Sequence, residues 1–305
     1  MPREISVVSP RSACPACEKP IAAYDNIPVL SWLILQGRCR NCKAPISSRY
    51  ATVELLTGVL FLLSFLAATG HLAGTMQYAA GNCPSVAVAQ PVQISDLSQW
   101  LAPAIRLCVL SFLLLGLIFT DAETQLLPDL LTKPGIMLGL GFSMLVPLLD
   151  FCLPAIGNWR IQSLLNSAAG AILGWAIIFG IALLYEAIRN TEGMGGGDVK
   201  LMALIGAFLG MKLTLLVLLL ASFFGSIFGG FLVLWVWVKR LRRRHNPAEK
   251  PAFGRSRAWQ SARLIPRHFP IPFGVFLGSA ALFSAFFGMA LVRWYWRFSG
   301  LGSSH

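Results

Sequence analysis

Long apolar segments limit what this chain can fold into. A transmembrane helix needs about 20 mostly apolar residues, and seven segments of that character follow one another: 51–70, 100–120, 134–150, 162–187, 199–211, 213–238 and 272–297. The sequence therefore predicts an all-α polytopic membrane protein with about seven spans. Segment 199–211 is short for a full crossing, which predicts a half-length or tilted helix.

The positive charge supports a topology rather than a nucleic-acid site. The net charge is +12, but the basic residues lie between apolar spans, which argues against nucleic-acid binding. Twenty of the 25 Lys and Arg residues lie in 1–50, 120–133, 186–200 and 239–270, whereas 70–99 has none. Because Lys and Arg accumulate in cytoplasmic loops, the N-terminal module is predicted to be cytoplasmic.

This topology divides the chain into regions with different expected roles. Residues 1–50 are polar enough to form a separate soluble module, and their N-terminal part has no apolar run that would predict a signal peptide. Residues 51–297 form the predicted membrane domain, with an outer loop at 70–99, a basic cytoplasmic loop at 239–270 and a tail at 298–305. The basic run 239–244 is interpreted as an anchor at anionic lipid headgroups.

Four cysteines in the first module predict a metal site. Cys14 and Cys17 are separated by 21 intervening residues from a second pair, Cys39 and Cys42. Two CxxC pairs let four thiolates converge on a tetrahedral zinc ion. Two disulfides or a redox pair are the competing interpretations, and a reducing cytoplasm and the lack of a βαβ pattern argue against them. We expect a structural zinc, because no ligand position is left open for water.

The remaining three cysteines carry less information. Cys83 and Cys152 fall in predicted outer loops, where an oxidising compartment would permit a disulfide, but two single thiols in separate loops seldom meet, so no bridge is predicted. Cys108 lies within a span and is interpreted as a small core residue.

Two aspartates are predicted to lie at the same membrane depth. Asp121 directly follows a span that runs towards the cytoplasm, and Asp198 directly precedes one that starts there. Two facing aspartates can hydrolyse a peptide bond, one taking a proton from water while the other donates to the carbonyl oxygen. Close carboxylates favour sharing one proton. Helix dipoles would make Asp198 the ionised base and Asp121 the protonated acid.

The simpler interpretation is structural: Asp198 would be an N-cap of a helix beginning at Val199, and Asp121 an ordinary juxtamembrane residue. The glycine run of Gly193 and Gly195 to Gly197 favours a functional role, because capping does not need it and it allows backbone to approach a substrate chain. The run is not followed by the Lys and Ser/Thr of a nucleotide-binding loop, so nucleotide binding is a poor fit.

In combination, these segments resemble the prepilin peptidases, the type IV leader peptidases of the bacterial inner membrane. The similarity covers roughly residues 10–297 and is carried by both CxxC pairs with residues 37–42, and by 24–33, 49–56, 121–129, 195–200 and 272–274. It implies that Asp121 and Asp198 form the catalytic pair of a GxGD-type membrane aspartic protease, and that the four cysteines bind zinc.

The same resemblance implies the reaction and its partners. Family members remove a short basic leader from type IV prepilins and type II secretion pseudopilins, and many then methylate the new N-terminal amine with S-adenosylmethionine. Members usually begin with a further hydrophobic helix before the cysteine module, which is missing here and is expected to bear on activity.

Supporting residues are also predicted. Gly195, Gly196, Gly197 and Lys200 are expected to line or support a substrate groove, together with Glu54 and Asp129. Glu123, Asp129 and Glu192 are expected to supply local acidity for a basic leader.

Two other classes of function remain open on the sequence alone. Carboxylates at membrane depth would also suit an ion transporter with a zinc-stabilised domain. An assembly factor that recruits partners through its cysteine module is the third hypothesis.

Overall fold

The computed structural model describes residues 13–27, 29–69, 96–148, 158–189, 195–243 and 273–298. Within these ranges the protein is helical and contains no strand, only two isolated β-bridges. The chain divides into two compact units, Met1–Leu63 and Ser64–His305. The predicted all-α architecture is confirmed.

The first unit is built on short elements. It contains a 3₁₀ turn over Ala23–Asn26, the short helix α1 over Leu30–Ile34, and most of the long helix α2 over Ser48–Ala68. The two β-bridges, Ala13 with Pro20 and Arg38 with Pro45, each close a loop that contains one CxxC pair.

The second unit is a bundle of long apolar helices. These are α3 (Asp96–Thr124), α4 (Asp129–Ser143), α5 (Trp159–Arg189), α6 (Gly196–Arg243) and α7 (Phe273–Phe298). Helix α6 packs against α4, α5 and α7, and α3 packs against α4 and α7. Helix α6 is therefore the centre of the bundle.

Five helices in the described ranges are long and apolar enough to cross a membrane: α2, α3, α5, α6 and α7. The chain is accordingly a multi-pass membrane protein. The seven predicted segments reduce to five for two reasons: α4 is short, and the two segments 199–211 and 213–238 belong to one element. The predicted break between those two is real, because Gly210 inside α6 has non-helical angles (φ 76°, ψ 178°).

The break at Gly210 is stabilised by polar side chains from neighbouring helices. A non-helical residue prevents nearby carbonyls from receiving their usual amide four residues later, and lipid offers no replacement donor. The Arg106 guanidinium of α3 donates to the carbonyl of Phe208, and the Ser167 hydroxyl of α5 donates to that of Ala207. Arg106 is only 1% exposed, so its guanidinium is buried in the bundle beside the break.

Small residues allow α5 and α6 to approach closely. A Cβ added to Gly170 would lie 2.6 Å from the carbonyl oxygen of Gly206, and one added to Gly174 would lie 2.7 Å from that of Met202. Backbone therefore contacts backbone along this interface, as is common between membrane helices. By contrast, Gly180 on α5 has open space around it.

The bounds of three predicted segments need correction. Segment 134–150 is instead α4, which begins at Asp129 and has Pro134 inside it; its 15 residues span about 22 Å, less than the ~30 Å hydrocarbon layer. Helix α3 continues to Thr124, so Asp121 lies within its last turn rather than after it. Helix α6 begins at Gly196, so Asp198 is its third residue and not its N-cap.

Candidate active site and metal site

Asp121 is buried where α3 meets the start of α7. Only 5% of the surface of Asp121 is exposed. The backbone N–H of Val275, in the first turn of α7, donates to Asp121 Oδ2 at 3.0 Å. The exposed amides at a helix N-terminus stabilise a negative charge, so α7 supplies a polar partner for this carboxyl at the end of a span.

Asp198 lies beside the same point. A Cβ placed on Gly274 would lie 2.7 Å from Asp121 Oδ2 and 3.2 Å from Asp198 Oδ1. The two carboxyl oxygens are therefore separated by no more than the sum of these distances. Residues 77 positions apart in sequence meet at the bare backbone of a third helix, and this juxtaposition was the central expectation from the sequence.

Gly274 is the residue that the sequence reasoning did not place in the site. The pattern Pro272-Phe273-Gly274 was noticed only as part of the resemblance to a family. In the structure, the missing side chain of Gly274 leaves room for both carboxyls, because any Cβ there would overlap Asp121. The sequence feature that could have indicated this role is a glycine at the start of a long apolar helix, where helix propensity disfavours glycine.

The dipole argument for distinct acid and base roles loses its basis. Asp198 lies in the first turn of α6, as expected. However, Asp121 lies at the C-terminal end of α3 and also receives an amide from the N-terminus of α7. Both carboxyls therefore face the positive end of a helix, and the dipoles do not rank one as base over the other.

The chain segments next to the two aspartates are joined by an apolar contact and an ion pair. A Cβ on Gly197 would lie 3.0 Å from the side chain of Leu127, so the absence of one lets the two segments touch. Lys200 Nζ lies 2.5 Å from Asp129 Oδ1 and connects α6 to α4, while Lys133 Nζ lies 2.9 Å from Asp129 Oδ2 within α4.

The two lysines hold Asp129 in its ionised form. Hydrogen bonds from Lys200 and then Lys133 lower the pKa of the Asp129 carboxyl below its ordinary value. Both charged partners of the Asp129 carboxylate are lysines of the same chain, so its charge is already paired within the protein. This argues against its suggested role in attracting a basic leader.

The other predicted supporting residues are placed as follows. Gly195 and Gly196 have open space around them, as a groove would require, and Glu123 is exposed beyond Asp121. Glu54 belongs to the first unit, where its Oε2 accepts the backbone N–H of Val29 at 3.0 Å. Glu192, Cys83 and Cys152 lie outside the described residues. Cys108 is half-buried in α3.

The four cysteines of the first unit form one cluster. The sulfur atoms of Cys14, Cys17, Cys39 and Cys42 all lie within 4.8 Å of one another, and those of Cys14 and Cys42 are 3.7 Å apart. Tetrahedral bonds of about 2.3 Å place neighbouring sulfurs about 3.8 Å apart. None of the described cysteines forms a disulfide, so this set fits a tetrahedral metal ion.

Both CxxC loops have the same backbone geometry. The amide of Cys14 donates to Lys19 and that of Glu18 to Cys14; the amide of Cys39 donates to Ala44 and that of Lys43 to Cys39. The residue four positions after the first cysteine has a left-handed conformation in each loop, with φ of 55° at Glu18 and 59° at Lys43. Two loops of equivalent geometry thus bring their four thiols together.

The cluster already favours a mixture of thiolate and thiol. Backbone amides of Ala16 and Cys17 lower the pKa of Cys14 to about 6. The pKa of Cys42 is raised to about 11: a backbone hydrogen bond from Ala44 lowers it, but desolvation and hydrogen bonds from the three other thiols raise it further. A bound cation would favour the thiolate form of all four.

Comparison with known proteins identifies the family of the chain. Residues 108–230 match the sequence model of the type IV leader peptidase family, and residues 1–68 match that of the bacterial peptidase A24 N-terminal domain. The first of these ranges contains Asp121 and Asp198, and the second contains the four cysteines. The chain belongs to the type IV leader peptidase family.

Curated relatives cover nearly the whole chain. The prepilin leader peptidase/N-methyltransferase of Aeromonas hydrophila is 34% identical over 95% of this chain and 76% of its own length. Proteins of the same name from Pseudomonas aeruginosa and Burkholderia pseudomallei are each 31% identical, over 97% and 94% of this chain and 78% and 71% of their own lengths. No solved structure matches the chain.

Family membership establishes the class of protein. The chain is an enzyme of a membrane protease family whose curated relatives carry both peptidase and methyltransferase names. The predicted enzyme class is confirmed. The hypotheses of an ion transporter and of an assembly factor have no comparable support.

Proposed function

We propose that this protein is a prepilin leader peptidase that uses Asp121 and Asp198 as a catalytic pair. The observation that carries the proposal is the approach of Asp121 Oδ2 and Asp198 Oδ1 to one point beside Gly274. A metal-independent aspartic protease needs two carboxyls that share one proton around a water molecule. The family match over residues 108–230 gives independent support.

The reaction follows from that geometry. The ionised carboxylate takes a proton from water while the water oxygen forms a bond to the scissile carbonyl carbon, and the protonated carboxyl donates to the carbonyl oxygen. Collapse of the tetrahedral intermediate breaks the C–N bond, and the leaving amine receives a proton from the pair. The glycine-rich backbone at Gly195 and Gly196, which has open space beside it, would accommodate the extended substrate chain.

The substrates we propose are type IV prepilins and type II secretion pseudopilins, as the names of the curated relatives suggest for the first class. Such substrates join a polar, basic leader to an apolar helix, so their scissile bond lies at a membrane interface. Asp121 near the end of one span and Asp198 at the start of another suit that depth. We place the protein in the bacterial inner membrane, surrounded by lipid, with its N-terminal module in the cytoplasm and no nucleic-acid partner.

We further propose that the amine released by cleavage is methylated from S-adenosylmethionine. The curated relatives are named N-methyltransferases as well as leader peptidases. In such a step the amine lone pair forms the new N–C bond, the C–S bond of the sulfonium breaks, and its electron pair stays on sulfur. The amine then loses a proton to solvent.

The metal we propose for the first unit is a structural zinc ion held by Cys14, Cys17, Cys39 and Cys42. All four ligand positions are occupied by thiols, so the ion would have no open site for water. Its contribution would be to fix two loops that have little apolar core of their own.

Removal of either catalytic carboxyl tests the peptidase. We expect Asp121→Asn and Asp198→Asn each to lower kcat for prepilin cleavage by about 10²–10⁴-fold, because neither variant can complete proton transfer. Cleavage by purified protein in lipid, followed by the mass of the product, measures this. Full activity in either variant would contradict the aspartate pair.

A methyl group at Gly274 should block the same site without removing a carboxyl. We expect Gly274→Ala to abolish most cleavage, because its Cβ would overlap Asp121 and crowd Asp198. The matched control is Gly230→Ala on α6, where a Cβ meets no atom within 4 Å and activity should be unchanged. Equal activity of the two variants would show that the space beside Gly274 is not used in catalysis.

We propose that Lys200 and Asp129 are positioning residues that hold α4 and α6 together beside the aspartates. Because an exposed ion pair contributes little, Lys200→Ala should lower kcat by at most about fivefold and leave KM unchanged. Lys133→Ala is the matched control, since Lys133 pairs with the same carboxylate but only within α4. Steady-state kinetics with one prepilin distinguish the two variants.

Exchanging the two charges tests whether Lys200 acts through its ion pair with Asp129 or in another way. The double variant Asp129→Lys with Lys200→Asp should restore the kcat that Asp129→Lys alone lowers. The double variant Asp129→Lys with Lys133→Asp should not restore it. Because the pKa of Asp129 is lowered, the pair is intact above its unfolded value of about 3.9 and is lost only as pH falls through the lower folded value. The effect should therefore be constant from about pH 5 to 8, and failure of the first exchange would contradict the positioning role.

Metal content tests the zinc proposal. We expect about one zinc per chain in protein purified without chelator, and loss of that zinc in Cys42→Ser, together with a lower thermal unfolding temperature. Cys108→Ser, outside the cluster, should retain the metal. Emission spectroscopy of the purified protein measures this, and zinc bound equally by the Cys42→Ser variant would contradict the assignment.

A further inference from the structure

Helix α5 extends past the start of α6, at the end of the bundle where the catalytic pair lies. The close backbone contacts between these helices pair Gly170 with Gly206 and Gly174 with Met202. Four residues forward along α5 thus match four residues backward along α6, so the two helices are antiparallel. Continued at this register, Asp198 is level with the residue four positions after Gly174, and the remainder of α5 runs on beyond the first turn of α6.

One stripe of side chains continues the face of α5 that contacts α6. Residues spaced alternately by four and three positions share a face of a helix, so Ile178, Ile181, Tyr185 and Ile188 follow Gly174 on this face. Ile178 is only 1% exposed, whereas Ile181 and Tyr185 are 46% and 44% exposed. The stripe therefore becomes accessible where α6 begins, and we call its last three members, from Ile181 to Ile188, the exposed stripe.

The exposed stripe lies beside the glycine-rich start of α6. At the register given above, Ile181 is level with Gly195, and Tyr185 lies about 6 Å further along the helix axis. A Cβ added to Gly195 or Gly196 would meet no atom within 4 Å, so space remains beside this backbone. Asp198 is the third residue of α6. The exposed stripe and the glycines therefore border one open cleft that leads to the catalytic pair.

The chemistry of the exposed stripe suits a basic peptide in an extended conformation. The aromatic ring of Tyr185 attracts the cation of a Lys or Arg side chain. Ile181 and Ile188 present aliphatic surface, along which the stems of such side chains pack. Glu186, the neighbour of Tyr185 in sequence, is also exposed and adds a negative charge beside the ring. These groups match a positively charged ligand and offer nothing to an anionic one.

We propose that the exposed stripe binds the part of the prepilin leader next to the scissile bond, with the ring of Tyr185 against a basic side chain. This inference deepens the proposed function and rests on it, because the leader reaches the stripe only when the scissile bond lies at the aspartates. The direction of α5 decides which part of the substrate is bound. The stripe continues past Asp198 and away from the buried first half of α6, where the polar leader emerges, whereas the apolar helix of the substrate stays at the depth of the bundle.

The test measures binding of a synthetic peptide that contains a prepilin leader and the first residues after its scissile bond. The full-length protein in detergent carries Asp198→Asn, so that the peptide stays intact. By fluorescence anisotropy we expect Tyr185→Ala and Ile181→Ala each to raise the Kd about three- to tenfold, and Tyr185→Phe to retain binding, since it keeps the ring. Leu183→Ala is the matched control, because Leu183 is 50% exposed but lies on the opposite face of α5; its Kd should be unchanged.

A second peptide tests the contact between the ring and the basic side chain. Replacing the basic leader residue nearest the scissile bond by Gln should weaken binding to protein with the stripe intact. The same replacement should have little further effect in Tyr185→Ala, because the ring that the charge contacts is already absent. A variant that folds poorly would weaken the binding of both peptides alike, so this pattern is specific to a direct contact. Additive losses would overturn the proposal.

The outcomes also distinguish this proposal from the aspartate mechanism. Cleavage of the peptide by the Asp198→Asn protein would contradict the catalytic pair, but it would leave the comparison among the α5 variants unchanged. Equal Kd values for Ile181→Ala and Leu183→Ala, or an unchanged Kd for Tyr185→Ala, would overturn the leader site. A peptide without the leader should bind equally to protein with and without Tyr185→Ala. If its binding is weakened instead, the stripe contacts the apolar part of the substrate and the proposal is wrong.

Discussion

The meeting of three helix ends is the constraint on which the catalytic architecture depends. The last turn of α3 brings Asp121, the first turn of α6 brings Asp198, and the first turn of α7 brings Gly274 and the amide of Val275. Two carboxyls at a membrane boundary repel one another and need polar partners. The N-terminus of α7 supplies such a partner to Asp121 through the amide of Val275, and Asp198 lies in the first turn of α6.

The same rule, that polar backbone must be satisfied away from water, explains the rest of the bundle. Helix α6 interrupts its hydrogen bonding at Gly210, and Arg106 and Ser167 donate to carbonyls beside the interruption. The close contact of Gly170 with Gly206 then fixes α5 against the first half of α6. Since Asp198 begins this half, the packing that accommodates the break also determines where the carboxyl lies.

Much of this arrangement could be predicted from the sequence. Long apolar segments gave the helices, the CxxC spacing gave the cysteine cluster, and topology placed Asp121 and Asp198 at one depth. The interruption between 199–211 and 213–238 could be predicted because the first segment is too short for a full crossing and the second is longer than one crossing needs. These features are local or periodic, so they leave a signal in one sequence.

The features that were missed depend on contacts between distant segments. Nothing local marks Arg106 as a donor to Phe208, or Gly274 as the gap between two carboxyls. The start of α4 was misplaced because the predicted apolar segment begins at 134, after Lys133, whereas the helix begins at Asp129 and has Pro134 inside it. Asp129 was expected to line or support the groove or to supply acidity for the leader, and its pairing with Lys200 could be seen only once α4 and α6 were placed together.

The order of these helix ends along the chain has a consequence for biosynthesis. A ribosome delivers α3 and α6 to the membrane well before α7, yet the amide that binds Asp121 comes from α7. An unfinished polypeptide would therefore hold both carboxyls without the glycine edge and the donor that complete their surroundings. Under the proposed mechanism, the surroundings of the pair would be complete only once the last helix has inserted, and a prematurely terminated chain would lack them.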